Sequence, residues 1–291
     1  MKRVFLFLLT NILIIATISI ITSLLGVRGY LNESGIDYQA LLVFCLIWGF
    51  TGSFISLLLS RFMAKKMMGV VLIDPRNPGQ NSWLVETTFD ICRRANLPKM
   101  PEVGIYNSPD VNAFATGPSQ SRALVAVSSG LLQKMSKDEI EGVLAHEVAH
   151  IKNGDMVTLT LIQGVVNAFV MFLSRAAAFA LGQAVKDDMR YMVRMVATIV
   201  FDILFGIMAI PVVAWFSRQR EFRADAGSAS YVGSNKMKAA LQALLKMQNS
   251  VATREEPEAI QAFKISSRRP TGWKAYFSTH PPLEERIRAL N

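Results

Sequence analysis

The chain has little charge and little cysteine for its length. Charged residues make up 18 % of its 291 residues and hydrophobic residues 51 %, whereas globular proteins average about 25 % charged residues. This composition excludes an intrinsically disordered chain, because disorder requires low hydrophobicity and high charge. With two cysteines, Cys45 and Cys92, the chain cannot build a framework of several disulfides, and we interpret both as reduced thiols.

Histidine and acidic residues are also scarce. The chain has three histidines, and its 22 acidic residues against 31 basic ones give a net charge of +9. In a soluble protein this excess would suit nucleic acid, but a mean hydropathy of +0.31 indicates a membrane protein. We therefore assign the basic residues to cytoplasmic segments beside a lipid bilayer and expect no nucleic-acid partner.

Two uncharged runs near the N-terminus predict transmembrane helices. Residues 4–25 and 39–60 are each long enough to cross about 30 Å of hydrocarbon. Lys2 and Arg3 precede the first run, and basic residues follow the second, so the N-terminus and the chain after residue 60 are predicted to be cytoplasmic. Because a second span follows, we do not interpret the first as a cleaved signal peptide.

Two later apolar runs, residues 156–185 and 191–216, are ambiguous because they contain charges such as Arg175 and Asp202. A charge in hydrocarbon is costly unless it faces a bundle interior or a watery cavity. We favour a transmembrane hairpin, and the alternative is a hairpin that enters the bilayer only in part. Arg175 and Asp202 could form an ion pair, which is the simpler interpretation, or line a hydrated chamber.

Between the two pairs of apolar runs, the pattern predicts a mixed α/β region. Ser136 followed by Glu139 forms a capping box, and the Asn-Gly pair at 153–154 is a stop signal, so a helix is expected between them. Periodicity further predicts a helix over 83–96 and strands over 102–106 and 123–128.

This capped helix carries the main chemical signal, the sequence His146-Glu147-Val148-Ala149-His150. Residues four apart share one helix face, so His146 and His150 can bind one metal ion. Glu147 can reach a water molecule beside that ion and take its proton, as in zinc metalloproteases. The alternative, an amphipathic helix with two surface histidines, is disfavoured because the motif contains two of the three histidines and is flanked by apolar residues.

A catalytic zinc needs a third protein ligand. Asp155 is close in sequence, but it follows the stop signal and suits the N-cap of the next helix. Glu221 is the better candidate, because Asp225, four residues later, could accept the spare N–H of a ligand histidine. A solvated helical turn, with nearby arginines pairing with the two acids, is the alternative.

Taken together, these motifs resemble those of the HtpX-type membrane zinc endopeptidases, bacterial relatives of the CAAX prenyl proteases and of the mitochondrial overlapping-activity protease. Two further motifs contribute, Asn112-Ala113-Phe114-Ala115 and Ser278-Thr279-His280-Pro281-Pro282 with Arg286. The resemblance extends over essentially the whole chain. It implies one Zn²⁺ per chain with the following site: ligands His146, His150 and Glu221, general base Glu147, and a supporting carboxylate at Asp225.

The resemblance also assigns roles that the residues alone do not. It implies substrate contact at Asn112, Ala113, Phe114 and Ala115, and transition-state support at His280 and Arg286. From the residues alone, the first segment is an ordinary loop with Phe114 in the core, or a strand edge that pairs with a substrate. The second is a surface His-Pro turn before a helix that Pro282 opens.

The expected fold class is a mainly α integral membrane protein with transmembrane helices and a cytosolic α+β zincin-like catalytic domain. We expect four parts along the chain: a pair of transmembrane helices at 1–60, a catalytic part at 61–155, the second apolar hairpin at 156–216, and a cytosolic helical part at 217–291 that completes the active site.

The resemblance implies a multi-pass enzyme of the bacterial inner membrane, with its active site facing the cytoplasm. Its substrates would be polypeptides, in particular misfolded or damaged membrane proteins, which makes it part of protein quality control and the stress response. The alternatives are a transporter with a structural zinc and a catalytically inactive zinc-binding sensor. Glu147 argues against both, because a site without catalysis has no use for that carboxylate.

Overall fold

A computed structural model describes residues 37–250 and 277–291. The predicted first span, residues 4–25, lies outside the described residues. Within them, the chain forms two compact units: one contains 37–56 and 159–213, and the other contains 57–158 with 214–250 and 277–291.

The described helices and strands follow one another in this order: α1 Tyr38–Met68, β1 Val71–Leu72, a 3₁₀ turn Gly79–Asn81, α2 Ser82–Arg94, β2 Glu102–Tyr106, β3 Ala113–Ser119, β4 Arg122–Ser128, α3 Ser129–Lys134, α4 Lys137–Asn153, α5 Asp155–Gln183, α6 Asp187–Val232, α7 Ser234–Ser250 and α8 Leu283–Ala289.

Three of these helices, α1, α5 and α6, are long and apolar enough to cross a membrane. They contain the run at 39–60 and both ambiguous runs. The turn between α5 and α6 consists of residues 184–186, so it is shorter than the gap between the two apolar runs, because α6 already begins at Asp187. At its other end α6 continues to Val232.

Arg175 and Asp202 do not form the ion pair that the simpler of the two sequence interpretations expects. Among the described residues, no carboxylate lies within ion-pair distance of Arg175. Its guanidinium lies 5.6 Å from the ring centre of Phe44, and its Nη1 donates to the Met171 carbonyl at 3.2 Å. The aromatic face and the carbonyl one turn earlier therefore take the place of the carboxylate.

The other unit contains a four-stranded sheet with the order β1-β2-β4-β3. The central strands β2 and β4 are parallel, and each edge strand is antiparallel to its neighbour. Strand β4 is almost wholly buried, as expected for a central strand covered on both faces. The strands predicted at 102–106 and 123–128 are confirmed as β2 and β4, and the helix predicted at 83–96 as α2.

Local signals fix both ends of α4. The Ser136 side chain accepts from the Glu139 backbone N–H, and the Glu139 carboxylate accepts from the Ser136 N–H at 2.7 Å, which confirms the capping box. The helix ends at Gly154, whose φ of +66° is a left-handed conformation that glycine adopts without strain. Its apolar residues pack into the main core between the sheet and helices α2 and α7.

A close helix contact brings the end of α6 against α4. Gly227 faces Ala149, where a Cβ on the glycine would lie 2.9 Å from the Ala149 Cβ. One residue later, the Ser228 hydroxyl donates to the Gly142 carbonyl at 3.0 Å. These contacts hold Glu221 and Asp225, which precede them on α6, beside the His146 helix.

Candidate metal centre

Three side chains from α4 and α6 converge on one point. His146 Nε2 lies 3.1 Å from His150 Nε2, and each of these nitrogens lies 3.4 Å from an oxygen of Glu221. Helix α4 supplies both imidazoles from one face because the histidines are four residues apart. These three residues therefore form a group that could hold a metal ion.

The size and chemistry of this group fit zinc. Ligands at about 2.0–2.1 Å in a tetrahedron lie about 3.3–3.4 Å from one another, close to the distances between the three side chains. One carboxylate and two imidazoles form a usual donor set for catalytic zinc. Glu221 is 1 % exposed, and its Oε2 accepts no hydrogen bond of good geometry among the described residues, so this oxygen can serve as a ligand atom.

A carboxylate lies behind each histidine. Asp225 Oδ1 is 2.9 Å from His146 Nδ1, and Asp155 Oδ2 is 2.7 Å from His150 Nδ1. A carboxylate in this position accepts the Nδ1 hydrogen, which leaves Nε2 free to bind a metal and fixes the orientation of the ring. Both histidines therefore present their Nε2 atoms to the same point.

The contact from Asp155 differs from the sequence-based expectation of a helix cap. Asp155 is the first residue of α5, is 1 % exposed, and uses its carboxylate on His150. Sequence reasoning missed this role because the stop signal separates Asp155 from α4. The left-handed turn at Gly154 brings the chain back towards α4, which could have been inferred from the αL preference of that glycine.

His280 and Arg286 both approach Glu221. His280 Nδ1 lies 3.1 Å and Arg286 Nη1 lies 3.4 Å from Glu221 Oε2. Arg286 is wholly buried, and its Nε and Nη2 donate to the two oxygens of Asp225 at 2.8 and 2.7 Å. Helix α8, which carries Arg286, begins directly after Pro282, so the proline marks the start of the helix as predicted.

The carboxylates around His146 and His150 raise the pKa of both imidazoles, although burial acts in the opposite direction. Burial alone would lower the pKa of His150, but the Glu221 and Asp155 carboxylates outweigh burial and raise this pKa to about 10. Burial would raise the pKa of Asp225, but Arg286 and His146 lower it to about 2. A divalent cation would take the place of the histidine protons, so metal binding would release protons from this site.

Glu147 is buried beside the metal-ligand group, with 5 % of its surface exposed. It follows His146 on α4. Among the described residues, no donor forms a hydrogen bond or ion pair with its carboxylate.

The segment from Asn112 to Ala115 begins the edge strand β3, which packs against α4. One side of β3 pairs with β4, from Ala113 opposite Val127 to Thr116 opposite Leu124, and no described strand pairs with its other side. The Phe114 side chain is buried in a cluster with Tyr106 and Leu124. The structure thus combines both sequence interpretations, because Phe114 is in the core while its backbone lies at a sheet edge.

The fold and the metal-ligand group define a membrane metallopeptidase. Residues 78–291 match the model of peptidase family M48, and the chain belongs to this family. Members of M48 are zinc metalloproteases.

Relatives with known names agree over the full length. A protease HtpX homolog from Bacillus velezensis is 53 % identical over 99 % of this chain and 98 % of the relative. The homolog from Bacillus subtilis is 52 % identical with the same coverage. Protease HtpX from Thioalkalivibrio sulfidiphilus is 51 % identical over 100 % of this chain and 98 % of the relative. The chain is therefore a peptidase, as its motifs predict.

A solved structure has a similar fold. The crystal structure of S. mikatae Ste24p matches 98 % of this chain and 66 % of its own chain, with a TM-score of 0.61 and 17 % sequence identity. The similarity confirms the predicted fold class, a mainly helical membrane protein with a small sheet beside its metal-ligand helix.

Proposed function

We propose that the protein is an endopeptidase that holds one zinc ion on His146, His150 and Glu221 and cleaves peptide bonds with Glu147 as general base. The observation that carries this proposal is the triangle of 3.1–3.4 Å between the three ligand side chains. When bound, zinc would polarise the scissile carbonyl and lower the pKa of a nearby water molecule to about 7.

The protein side chains then move the protons. Glu147 accepts the proton of the attacking water and passes it to the amine that leaves, as a carboxylate near the reacting atoms can do. Its buried position and its lack of a hydrogen-bonding donor among the described residues support this role. The neutral Glu147 formed during attack is the acid that the leaving amine requires.

The surrounding charges position the ligands. Asp225 and Asp155 hold the two histidine rings, and Arg286 holds Asp225 through two hydrogen bonds. His280 donates a hydrogen bond to the carbonyl oxygen as that oxygen gains charge. One such donor is worth about 10²–10³ in kcat.

The edge of β3 that no described strand pairs with binds the substrate. An extended peptide adds to a sheet edge through backbone hydrogen bonds, independent of most side chains. Residues 112–115 lie at this edge, and β3 packs against the helix that carries Glu147. This mode suits misfolded or damaged proteins, because an unfolded segment offers an extended backbone.

The site acts on the cytoplasmic side of a bacterial inner membrane, where its substrates include membrane proteins with exposed segments. Lys65 and Lys66 occupy the last turn of α1, at the end that leads into the sheet. Basic residues beside a span favour the cytoplasmic side.

Replacing Glu147 by Gln tests the general base. The variant keeps the shape of the side chain but cannot accept a proton, so kcat on casein should fall by about 10²–10⁴. The protein would be purified in detergent, and its zinc content should equal that of the wild type.

Glu86→Gln provides the matched control, because Glu86 is exposed on α2 and lies outside the ligand group. It should keep wild-type activity. Full activity in Glu147→Gln would mean that another group takes the proton. A wild type that binds zinc but cleaves nothing would favour the inactive sensor.

A further inference from the structure

An apolar surface on the catalytic unit is exposed where the chain leaves α1 and enters the sheet. It consists of the outward side chains of the last turns of α1 and of the β1 residue on the α1 side of the sheet: Phe62, Met63, Met67 and Leu72. We call this surface the β1-edge patch. Phe62 and Met67 are each 62 % exposed and Leu72 is 42 % exposed, and exposed apolar side chains of this size mark an interaction surface.

The opposite face of the same helical turns is occupied. Ala64 is buried in a cluster with Tyr106 and Phe114 of the sheet. Arg61 and Lys65 both pair with the Glu102 carboxylate at the start of β2. These contacts fix the orientation of the helix end, so the β1-edge patch faces away from the sheet.

The β1-edge patch continues the surface of a membrane-spanning helix. Leu58 and Leu59 precede it on α1 and are exposed as well. They belong to a helix that is apolar enough to cross a bilayer. The rows 58, 62 and 59, 63, 67 each follow the four-residue spacing of one helix face. The apolar surface therefore extends along α1 from the span towards β1, with the exposed Lys66 beside it.

Helix length indicates which layer the patch reaches. The 31 residues of α1 correspond to about 46 Å, whereas the hydrocarbon is about 30 Å thick and each headgroup layer adds about 5–8 Å. If the hydrocarbon ends near residue 60, as the sequence predicts, Met67 lies about 10 Å further along the axis. Phe62 therefore lies within the headgroup layer, and Met67 lies near its outer boundary.

We propose that the β1-edge patch lies in the headgroup layer of the bilayer, so that lipid covers one edge of the catalytic sheet. This layer suits the apolar side chains of the patch and also the unpaired backbone groups of an edge strand. It accepts apolar side chains at the acyl boundary, and its water satisfies backbone groups that would be unpaired in hydrocarbon. Lys66, exposed on the same helix turn, provides a cation next to the lipid phosphates.

A fluorescent probe on Leu72 tests this position. Leu72→Cys and the control Ser121→Cys, at the exposed turn between β3 and β4, would each be labelled with an environment-sensitive dye. The full chain would be reconstituted into vesicles. The native Cys45 and Cys92 are buried, which favours labelling of the new thiol.

Two quenchers separate the possible surroundings of the dye. Nitroxides on the lipid headgroup or upper acyl chain should quench the Leu72 probe several-fold more than the Ser121 probe, and aqueous iodide should show the reverse order. A probe at Leu72 that iodide quenches as fully as at Ser121 would overturn the proposal. So would a probe protected from both quenchers, because protein, such as a second copy of the chain, would then cover the patch.

Discussion

At the residue scale, the contact between Asp155 and His150 leads to a prediction about metal affinity. Asp155→Asn keeps the size of the side chain but weakens the acceptor for the His150 Nδ1 hydrogen, so His150 should be a poorer and less well oriented ligand. Loss of such a partner costs about 10–100-fold in metal affinity. Competition with a chelator would measure this loss.

Asp188→Asn is the matched control for Asp155→Asn. Asp188 also lies in the first turn of a long helix, but it is exposed and remote from the ligands in sequence. It should leave zinc affinity unchanged. Equal affinity in Asp155→Asn and the wild type would mean that Asp155 only completes the charge balance at the start of α5.

The residues also differ in how far the sequence could predict them. The spacing of His146, Glu147 and His150 is local, because four residues on a helix fix one face. The spacing of Glu221 and Asp225 likewise predicts that both lie on one face of a helix. It does not predict which other helix that face packs against. What joins Glu221 to the histidines is the packing of α6 on α4, a contact distant in sequence, and so a solvated helical turn remained an equally good interpretation of the pattern.

At the scale of elements, the contact between α6 and α4 predicts an effect of Gly227→Ala. The new Cβ would lie 2.9 Å from the Ala149 Cβ, so the helices must separate, and overpacking of this kind costs about 1–3 kcal/mol. Because α6 carries Glu221, the variant should lose zinc more readily and unfold at a lower temperature in detergent.

Gly206→Ala makes the same change in the same helix where no atom lies within 4 Å of the new Cβ. Alanine is the better helix former by about 1 kcal/mol, so this variant should be at least as stable as the wild type. If both glycine variants retain zinc and stability alike, the contact between α6 and α4 does not position the ligand.

Elements with local signals were predictable, and those without were not. Helix α4 has a capping box and a glycine stop, so its ends agree with the sequence prediction. Strand β1 has two residues and therefore no periodicity to detect. The continuation of α6 to Val232 was not expected either, because its apolar run ends at residue 216 while its backbone continues as a helix.

At the scale of the whole molecule, lipid contact at the β1-edge patch predicts a difference between substrates. Met67→Glu puts a charge into this patch without touching the ligand group, so hydrolysis of a soluble peptide should be unchanged. Cleavage of a membrane-anchored substrate in vesicles should fall, because the sheet would be held less firmly against the bilayer.

Ser121→Glu, at the far turn of the sheet, serves as the control and should affect neither substrate. The measurement is kcat/KM for both substrates in the wild type, Met67→Glu and Ser121→Glu. It distinguishes a loss of lipid contact from damage to the fold. Equal losses on both substrates in Met67→Glu would indicate damage to the fold, and no loss on either would show that lipid contact does not aid catalysis.

The metal centre itself is tested most directly by X-ray absorption at the zinc edge on the purified full-length protein. The account predicts one zinc per chain, with two imidazole nitrogens at about 2.0–2.1 Å and carboxylate oxygen at about 2.0–2.2 Å. In Glu221→Ala the bound zinc should be lost or greatly reduced. A sulfur shell at about 2.3 Å, or a wild-type spectrum in Glu221→Ala at full zinc content, would contradict the assignment of His146, His150 and Glu221 as the zinc ligands.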